Sequence, residues 1–349
     1  MLYIALPMLY STRAMGNTGT KRNDWIESVR VLAMLLIIMF HMPASELPVA
    51  DEHCLSSVIL SFMFQPAASL FVFFFLAGYF TKKNMAVKKW LYRIVALLVP
   101  YFIWNGLFAF GLNDEITWGR VFGIGAGSFI CADYPLWFVL AVIYMTVFWP
   151  IWRFSPEIAA VVCLVMSLCG NSWHCELLTH LPMPRPVDFL IFLCGVCAGR
   201  VSLDVLQKIF VYLFVPLLFI LIIGKYYYSI PCLDIVAAAL LLSFMACVSR
   251  VCPCVVRFAA KYSYAVFLSY ATHAGVIFLL GKLYQAYFTQ YATLVREMYI
   301  PLTFLLFIFN VLAFRLMCRF VPWLLPFIAH SGKLFWTRKQ NTTRVAGSC

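Results

Sequence analysis

Two ionisable residues in one apolar segment have the types and spacing that chemistry would need. Arg30 and His41 are separated by ten uncharged, apolar residues. In an α-helix, eleven steps turn through about three full circles and rise roughly 16 Å, so both side chains lie on nearly one face. Ionisable groups that face lipid are costly, so this face should point into the protein or into a wet cavity. The alternative is that Arg30 reaches lipid headgroups and His41 marks the far interface.

The two side chains suit different tasks. A guanidinium binds phosphate oxygens in pairs, and a neutral imidazole can take a proton from a hydroxyl group and return it to a leaving group. A second histidine, His273, lies in another apolar segment at comparable depth. Arg93 also lies within an apolar segment, close after a run of four lysines. These residues predict group transfer across a bilayer, with an anionic donor bound at the inner side and an acceptor at the outer side.

Composition sets the class of protein that must position these residues. The chain of 349 residues is 64% hydrophobic and only 11% charged. Soluble domains are about half apolar and a quarter charged. The sequence therefore predicts an all-α, polytopic integral membrane protein of the cell (inner) membrane, in contact with membrane lipids. The net charge of +12 is attributed to loop placement, and we expect no nucleic-acid partner because no binding motif accompanies it.

Ten apolar runs are predicted to cross the membrane. They cover residues 23–42, 57–80, 91–110, 135–152, 158–170, 187–199, 209–224, 230–248, 263–280 and 299–315. A further run at 121–132 is too short to cross and is predicted to be re-entrant or interfacial. Pro100 lies inside the third span, where a kink is expected.

The distribution of basic residues predicts the orientation. With the N-terminus inside, five of the 26 Lys and Arg residues fall outside and the other twenty-one fall inside. The five are Arg120, Arg185, Lys225, Lys282 and Arg296. This bias predicts that both termini are cytoplasmic and places Arg30 at the cytoplasmic face. His41 then lies toward the outer half of the membrane.

The domain prediction has three parts. Residues 1–22 form a flexible N-terminal extension, 23–320 a single membrane domain, and 321–349 a basic cytoplasmic tail. The true start is open between Met1 and Met15. Most of the 13 cysteines lie in apolar spans, where they behave as small hydrophobic residues, so no metal site is expected.

Several short patterns, in order, carry a resemblance to a known family. They are Arg30 followed after ten residues by His41, residues 74–79 (FFLAGY), Arg93 with Pro100, residues 135–138 (PLWF) and residues 270–273 (YATH). With ten spans, this order resembles the acyltransferase 3 family of integral-membrane O-acyltransferases over about residues 23–320. Three positions depart from the family pattern: Glu27 stands for the usual Asp, Val31 for Gly and Ala77 for Ser. Glu27 keeps the charge and can pair with Arg30 at i, i+3.

The resemblance implies a role for each matching residue. His41 would be the catalytic histidine, and Arg30 would order the donor or the helix end. Arg93 would assist on the cytoplasmic side, and Trp137, Tyr270 and His273 would contact substrate. The donor would be acyl-CoA, with no tightly bound cofactor, and the acceptor a carbohydrate.

The sequence thus predicts an enzyme that moves an acyl group, expected to be acetyl, onto a hydroxyl of a surface carbohydrate or its lipid-linked precursor. One rival is a proton-coupled transporter or flippase that uses His41 and His273, although no internal repeat is found between the two halves. Another is a membrane scaffold in which Arg30 and His41 hydrogen-bond between helices.

Overall fold

The computed structural model describes residues 23–41, 66–112, 136–169, 184–227, 233–287 and 299–321, with positions 323, 324 and 327. Every regular element within these ranges is helical. The helices are α1 (Asp24–His41), α2 (Pro66–Tyr79), α3 (Val87–Leu112), α4 (Trp137–Val147), α5 (Trp149–Trp152), α6 (Pro156–Leu168), α7 (Pro186–Ala198), α8 (Leu203–Tyr227), α9 (Leu233–Val251), α10 (Pro253–Ala260), α11 (Val266–Tyr287) and α12 (Tyr299–Phe320), with a 3₁₀ turn at Ser263–Ala265 before α11.

Helix α1 is the central helix of the bundle. It packs against α2, α9, α10, α11 and α12. Its first two turns are buried on all sides, including Glu27, Ser28 and Arg30. A helix that is buried all round belongs to the core of a large bundle. The face shared by Arg30 and His41 therefore points into the protein, as the sequence predicts.

Helices α2 and α7 approach each other closely through small residues. A Cβ added at Gly78 would lie 1.9 Å from the Phe192 carbonyl oxygen, and one added at Gly195 would lie 2.0 Å from the Phe75 carbonyl oxygen. Backbone therefore packs directly on backbone at both positions. Small residues allow such contacts between helices in membranes. The Ala77-Gly78 pair of α2 therefore serves the close approach of the two helices.

The other helices surround this centre. Helix α3 packs on α4 and α11, α6 packs on α7, and α8 packs on α9. The short helix α10 was not predicted from the sequence. It begins at Pro253, its buried Val256 and Ala260 lie one turn apart on one face, and it packs against α1 and α9. Proline is favoured in the first turn of a helix because its missing N–H has no partner there in any case.

The outer surface of the bundle is strongly apolar. On α8, Tyr212, Val215 and Phe219 share one face and are 77%, 69% and 64% exposed. Soluble monomers rarely show contiguous apolar patches of this kind. Four helical stretches of the described chain are long and apolar enough to cross a membrane: Val87–Leu107, Leu203–Gly224, Leu233–Val251 and Pro301–Phe320. The protein is therefore an all-helical membrane protein.

The ten predicted spans agree with the helices wherever the two can be compared. Each span overlaps a helix, although the second is described only from Pro66 onward. Several of these helices, such as α4 and α6, have fewer residues than a full crossing needs. The segment at 121–132 and both termini lie outside the described residues, and the division into three domains stays a prediction. Ten crossings and cytoplasmic termini therefore stay predictions, as does the kink at Pro100, through which α3 runs without interruption.

Candidate active site

His41 is the last residue of α1, and its ring is held by its own helix. The Nδ1 atom lies 2.8 Å from the Ile37 carbonyl oxygen. A carbonyl oxygen can only accept a hydrogen bond, so Nδ1 carries the proton of that bond. In the neutral ring, Nε2 then holds the lone pair. The side chain is half-buried, so the backbone contact orients the imidazole without enclosing it.

His273 on α11 is oriented in the same way but is fully buried. Its Nδ1 atom lies 2.7 Å from the Tyr270 carbonyl oxygen and 3.2 Å from that of Ser269. The same argument assigns the proton to Nδ1 and the lone pair to Nε2. Within the described ranges, the buried Nε2 atom has no hydrogen-bond partner. A buried polar atom without a partner is costly and marks a place where a ligand group or proton can be received.

The fold brings the two histidines together. Their ring centroids are 5.0 Å apart and the planes meet edge-on at 71°. Two unit charges at that distance would repel by about 3 kcal/mol at an effective dielectric constant near 20. The pair is therefore suited to hold one added proton, not two. This is an arrangement that can accept a proton from a hydroxyl group and release it again.

An aromatic wall extends from the histidine pair into the bundle. The Tyr270 ring lies 5.7 Å from the His273 ring and 5.6 Å from that of Phe138. Phe138 packs on Phe74 at 4.7 Å, and Phe74 lies 6.1 Å from Trp137. Tyr270 is thus a neighbour of the pair, and Trp137 joins the wall through Phe74. The wall connects α2, α4 and α11 and meets the histidine pair at His273.

A polar contact that sequence reasoning missed joins α11 to α12 beside this site. The Thr272 hydroxyl lies 2.7 Å from Asn310 Oδ1 and 2.8 Å from the Leu268 carbonyl oxygen, and its proton can serve one of them at a time. Asn310 Nδ2 donates to the Leu306 carbonyl oxygen at 3.0 Å. Asn310 is buried in the middle of an apolar helix. A polar residue in such a position is itself a signal of function that the sequence carried.

Arg30 lies at the opposite end of α1 from His41. Its side chain is fully buried, and Nη1 donates to Glu27 Oε2 at 2.6 Å. This confirms the pairing at i, i+3 that the sequence predicts. The spacing along the helix separates Arg30 from the imidazole by roughly 16 Å, so Arg30 cannot take part in proton transfer at His41. Its position is compatible with either role that the resemblance implies, which is to order the donor or to order the end of the helix.

Arg93 is also buried, but its contacts join two helices. Its Nη1 atom donates to Thr81 Oγ1 at 2.6 Å, and that hydroxyl donates to the Ala77 carbonyl oxygen, also at 2.6 Å. The contact fixes the start of α3 to the end of α2. Thr81 is the residue that sequence reasoning missed here.

Within the described ranges, no three His, Cys, Asp or Glu side chains are placed so that they could hold a metal ion. A family model of the acyltransferase domain (Acyl_transf_3) matches residues 23–319. The chain belongs to this acyltransferase family. No curated protein and no solved structure matches the chain significantly.

Membership of the acyltransferase family fits the architecture. The match begins just before α1 and ends at the last turn of α12, so it covers every helix described above. The protein is a membrane acyltransferase whose central helix carries Arg30 at one end and His41 at the other.

Proposed function

We propose that this acyltransferase moves an acyl group, of which acetyl is the simplest case, from acyl-CoA to a hydroxyl group of a surface carbohydrate or its lipid-linked precursor. The observation that carries the proposal is the His41–His273 pair. Each ring is oriented through Nδ1 by backbone carbonyls, and the rings are 5.0 Å apart. An imidazole fixed in this way presents an unprotonated Nε2 to an incoming hydroxyl.

In the proposed reaction, His41 is the general base. Its Nε2 takes the proton of the acceptor hydroxyl while the hydroxyl oxygen attacks the thioester carbonyl carbon. The tetrahedral intermediate then collapses, the C–S bond breaks, and the thiolate of CoA takes the proton back from His41. The products are an O-acyl ester and free CoA. His41 is preferred to His273 for this role because it is half-buried, whereas His273 is fully buried.

The neighbouring groups have supporting roles in this proposal. His273 holds the acceptor and opposes double protonation of the pair, and Tyr270 packs against its ring. Trp137 shapes the far end of the aromatic wall. Arg30 orders the donor at the other end of α1, and Arg93 fixes the α2–α3 corner on the donor side. By the charge bias, that end is the cytoplasmic one, where acyl-CoA is available.

The test is transfer of labelled acetyl from acetyl-CoA in isolated membranes, with candidate glycans as acceptors. The wild-type protein should release CoA and label the glycan, and His41→Gln should do neither. Tyr212→Phe is the matched control, because Tyr212 lies on the exposed face of α8 and should leave the rate unchanged. CoA release that is the same in wild type and His41→Gln would contradict the proposal. A carrier would give no release from either and would instead move a glycan substrate.

A further inference from the structure

The corner between α2 and α3 is braced by tryptophans. Trp149 Nε1 donates to the Lys83 carbonyl oxygen at 3.1 Å, and Trp90 Nε1 donates to that of Thr146 at 2.6 Å. The two indole rings lie 5.9 Å apart. The backbone at Lys83 is therefore held against α5. This contact fixes the position of the backbone from which the Lys83 side chain extends.

A cleft of about 470 Å³ opens in front of the corner. This volume falls within the range of roughly 300 to 1,000 Å³ that small-molecule sites occupy. Its lining combines cationic, amide and aromatic side chains. The lining residues are Lys83, Asn84, Met85, Ala86, Trp149, Arg153 and Phe154.

The cations of this cleft are available to an anion. The guanidinium carbon of Arg153 lies 4.5 Å from the centroid of the Trp149 ring and 4.8 Å from that of Phe154. Two rings thus hold the planar group in place by cation–π attraction. In the part of the chain that the structure describes, the buried Arg153 Nε has no hydrogen-bond partner, and no ion pair reaches Arg153 or Lys83.

The acidic group that interacts with Lys83 is already engaged. Lys83 acts electrostatically on the Glu157 carboxylate, but that carboxylate is bonded to Arg200. Among the described residues, the positive charge of the cleft therefore has no ion-pair partner of its own. Guanidinium and ammonium groups that are not already in an ion pair are typical phosphate ligands.

We propose that this cleft binds the phosphorylated nucleotide end of the donor, the adenosine 3′,5′-bisphosphate portion of acyl-CoA. The phosphates would lie on Lys83 and Arg153, and the base would pack on Phe154, which is 72% exposed at the rim, and on Met85. The inference rests on the proposed function, which supplies acyl-CoA as donor. A phospholipid headgroup offers the same phosphate chemistry, but it has no base to occupy the aromatic side of the cleft.

The binding test uses adenosine 3′,5′-bisphosphate itself, without any acyl group. The full-length protein is placed in nanodiscs of phosphatidylcholine alone, and binding is measured by calorimetry. Lys83→Gln and Arg153→Gln should each weaken binding by about tenfold to a hundredfold, the usual effect of losing a charge-assisted hydrogen bond. Lys88→Gln is the matched control, because it removes the same charge from an exposed neighbour outside the cleft. Melting temperatures check that each variant is folded.

Three outcomes separate the possibilities. The site would be supported if the wild type and Lys88→Gln bind the nucleotide and the two cleft variants, Lys83→Gln and Arg153→Gln, do not. This would hold even if no acyl transfer were found. Equal binding by all four proteins would overturn the site, even where transfer depends on His41. The third outcome is that the nucleotide binds none of the four proteins, while phosphatidylglycerol in the nanodisc raises the melting temperature of the wild type but not of the cleft variants. The cleft would then be a lipid site, and the proposal would be wrong.

Discussion

The close contact between α2 and α7 makes a quantitative prediction. A Cβ on Gly78 would lie 1.9 Å from the Phe192 carbonyl oxygen, where ordinary contacts begin at 3.4 Å. Because the obstacle is helix backbone, Gly78→Ala must push the two helices apart by about 1.5 Å, the difference between these distances. A gap of about 1 Å already removes up to half of the dispersion energy of a contact. Overpacking in a core typically lowers the free energy of unfolding by about 1–3 kcal/mol. We expect a loss of about 3 kcal/mol or more. With an unfolding entropy of about 2.1 cal/mol/K per residue over 349 residues, this loss lowers the melting temperature by roughly 4 °C or more.

The assay is the thermal stability of a fluorescent fusion in detergent, followed by size-exclusion chromatography. Gly106→Ala is the control, because nothing lies within 4 Å of its added Cβ. Alanine is better than glycine inside a helix by about 1 kcal/mol, so this variant should be as stable as wild type or more stable. Gly78→Ala with Gly195→Ala should cost less than the sum of the two, since one separation relieves both clashes. An unchanged melting temperature for Gly78→Ala would refute the packing.

Three further predictions concern orientation and the roles of single residues. Reporter fusions after Lys83 and after Arg344 should read cytoplasmic, and one within residues 46–53 should read external; an external C-terminus would overturn the orientation. Arg30→Lys should raise the KM for acyl-CoA in a titration of the donor, because lysine keeps the charge but loses the planar fork, and an unchanged KM would remove the donor role. His273→Asn, whose amide can still donate to the backbone as Nδ1 does, should lose more transfer activity than Tyr212→Phe; wild-type activity would show that Nε2 of His273 is not used.

The helices were largely predictable because apolar runs identify them. Each predicted span overlaps a helix within the described ranges. Local pairs on one helix were also predictable, since the separation of Glu27 and Arg30 decides their contact. The small residues Ala77 and Gly78 permit a close approach by α2, but the sequence does not show that Gly195 is the partner. A contact between helices distant in sequence depends on how each is rotated, and no single helix carries that information.

In the site, too, single residues could be selected from the sequence, whereas contacts between helices could not. His41 and His273 could each be selected as buried ionisable residues, but their contact exists only because α1 packs on α11. Arg93 was predicted to assist at the cytoplasmic side, and its bond to Thr81 could not be foreseen because it depends on the turn between α2 and α3. Asn310 was missed, although the sequence shows its amide side chain in the middle of an apolar run.

The role of His41 as general base can be tested through the acetyl content of the cell's polysaccharide in a deletion strain complemented with His41 variants. General-base catalysis is typically worth about 10² to 10⁴ in rate, so the loss should be plain even in a crude assay. His41→Gln can still hydrogen-bond but cannot take a proton at neutral pH. We expect this variant to reach the membrane at the wild-type level and to leave the polysaccharide unacetylated. Normal acetylation with His41→Gln would contradict the role of His41 as the base.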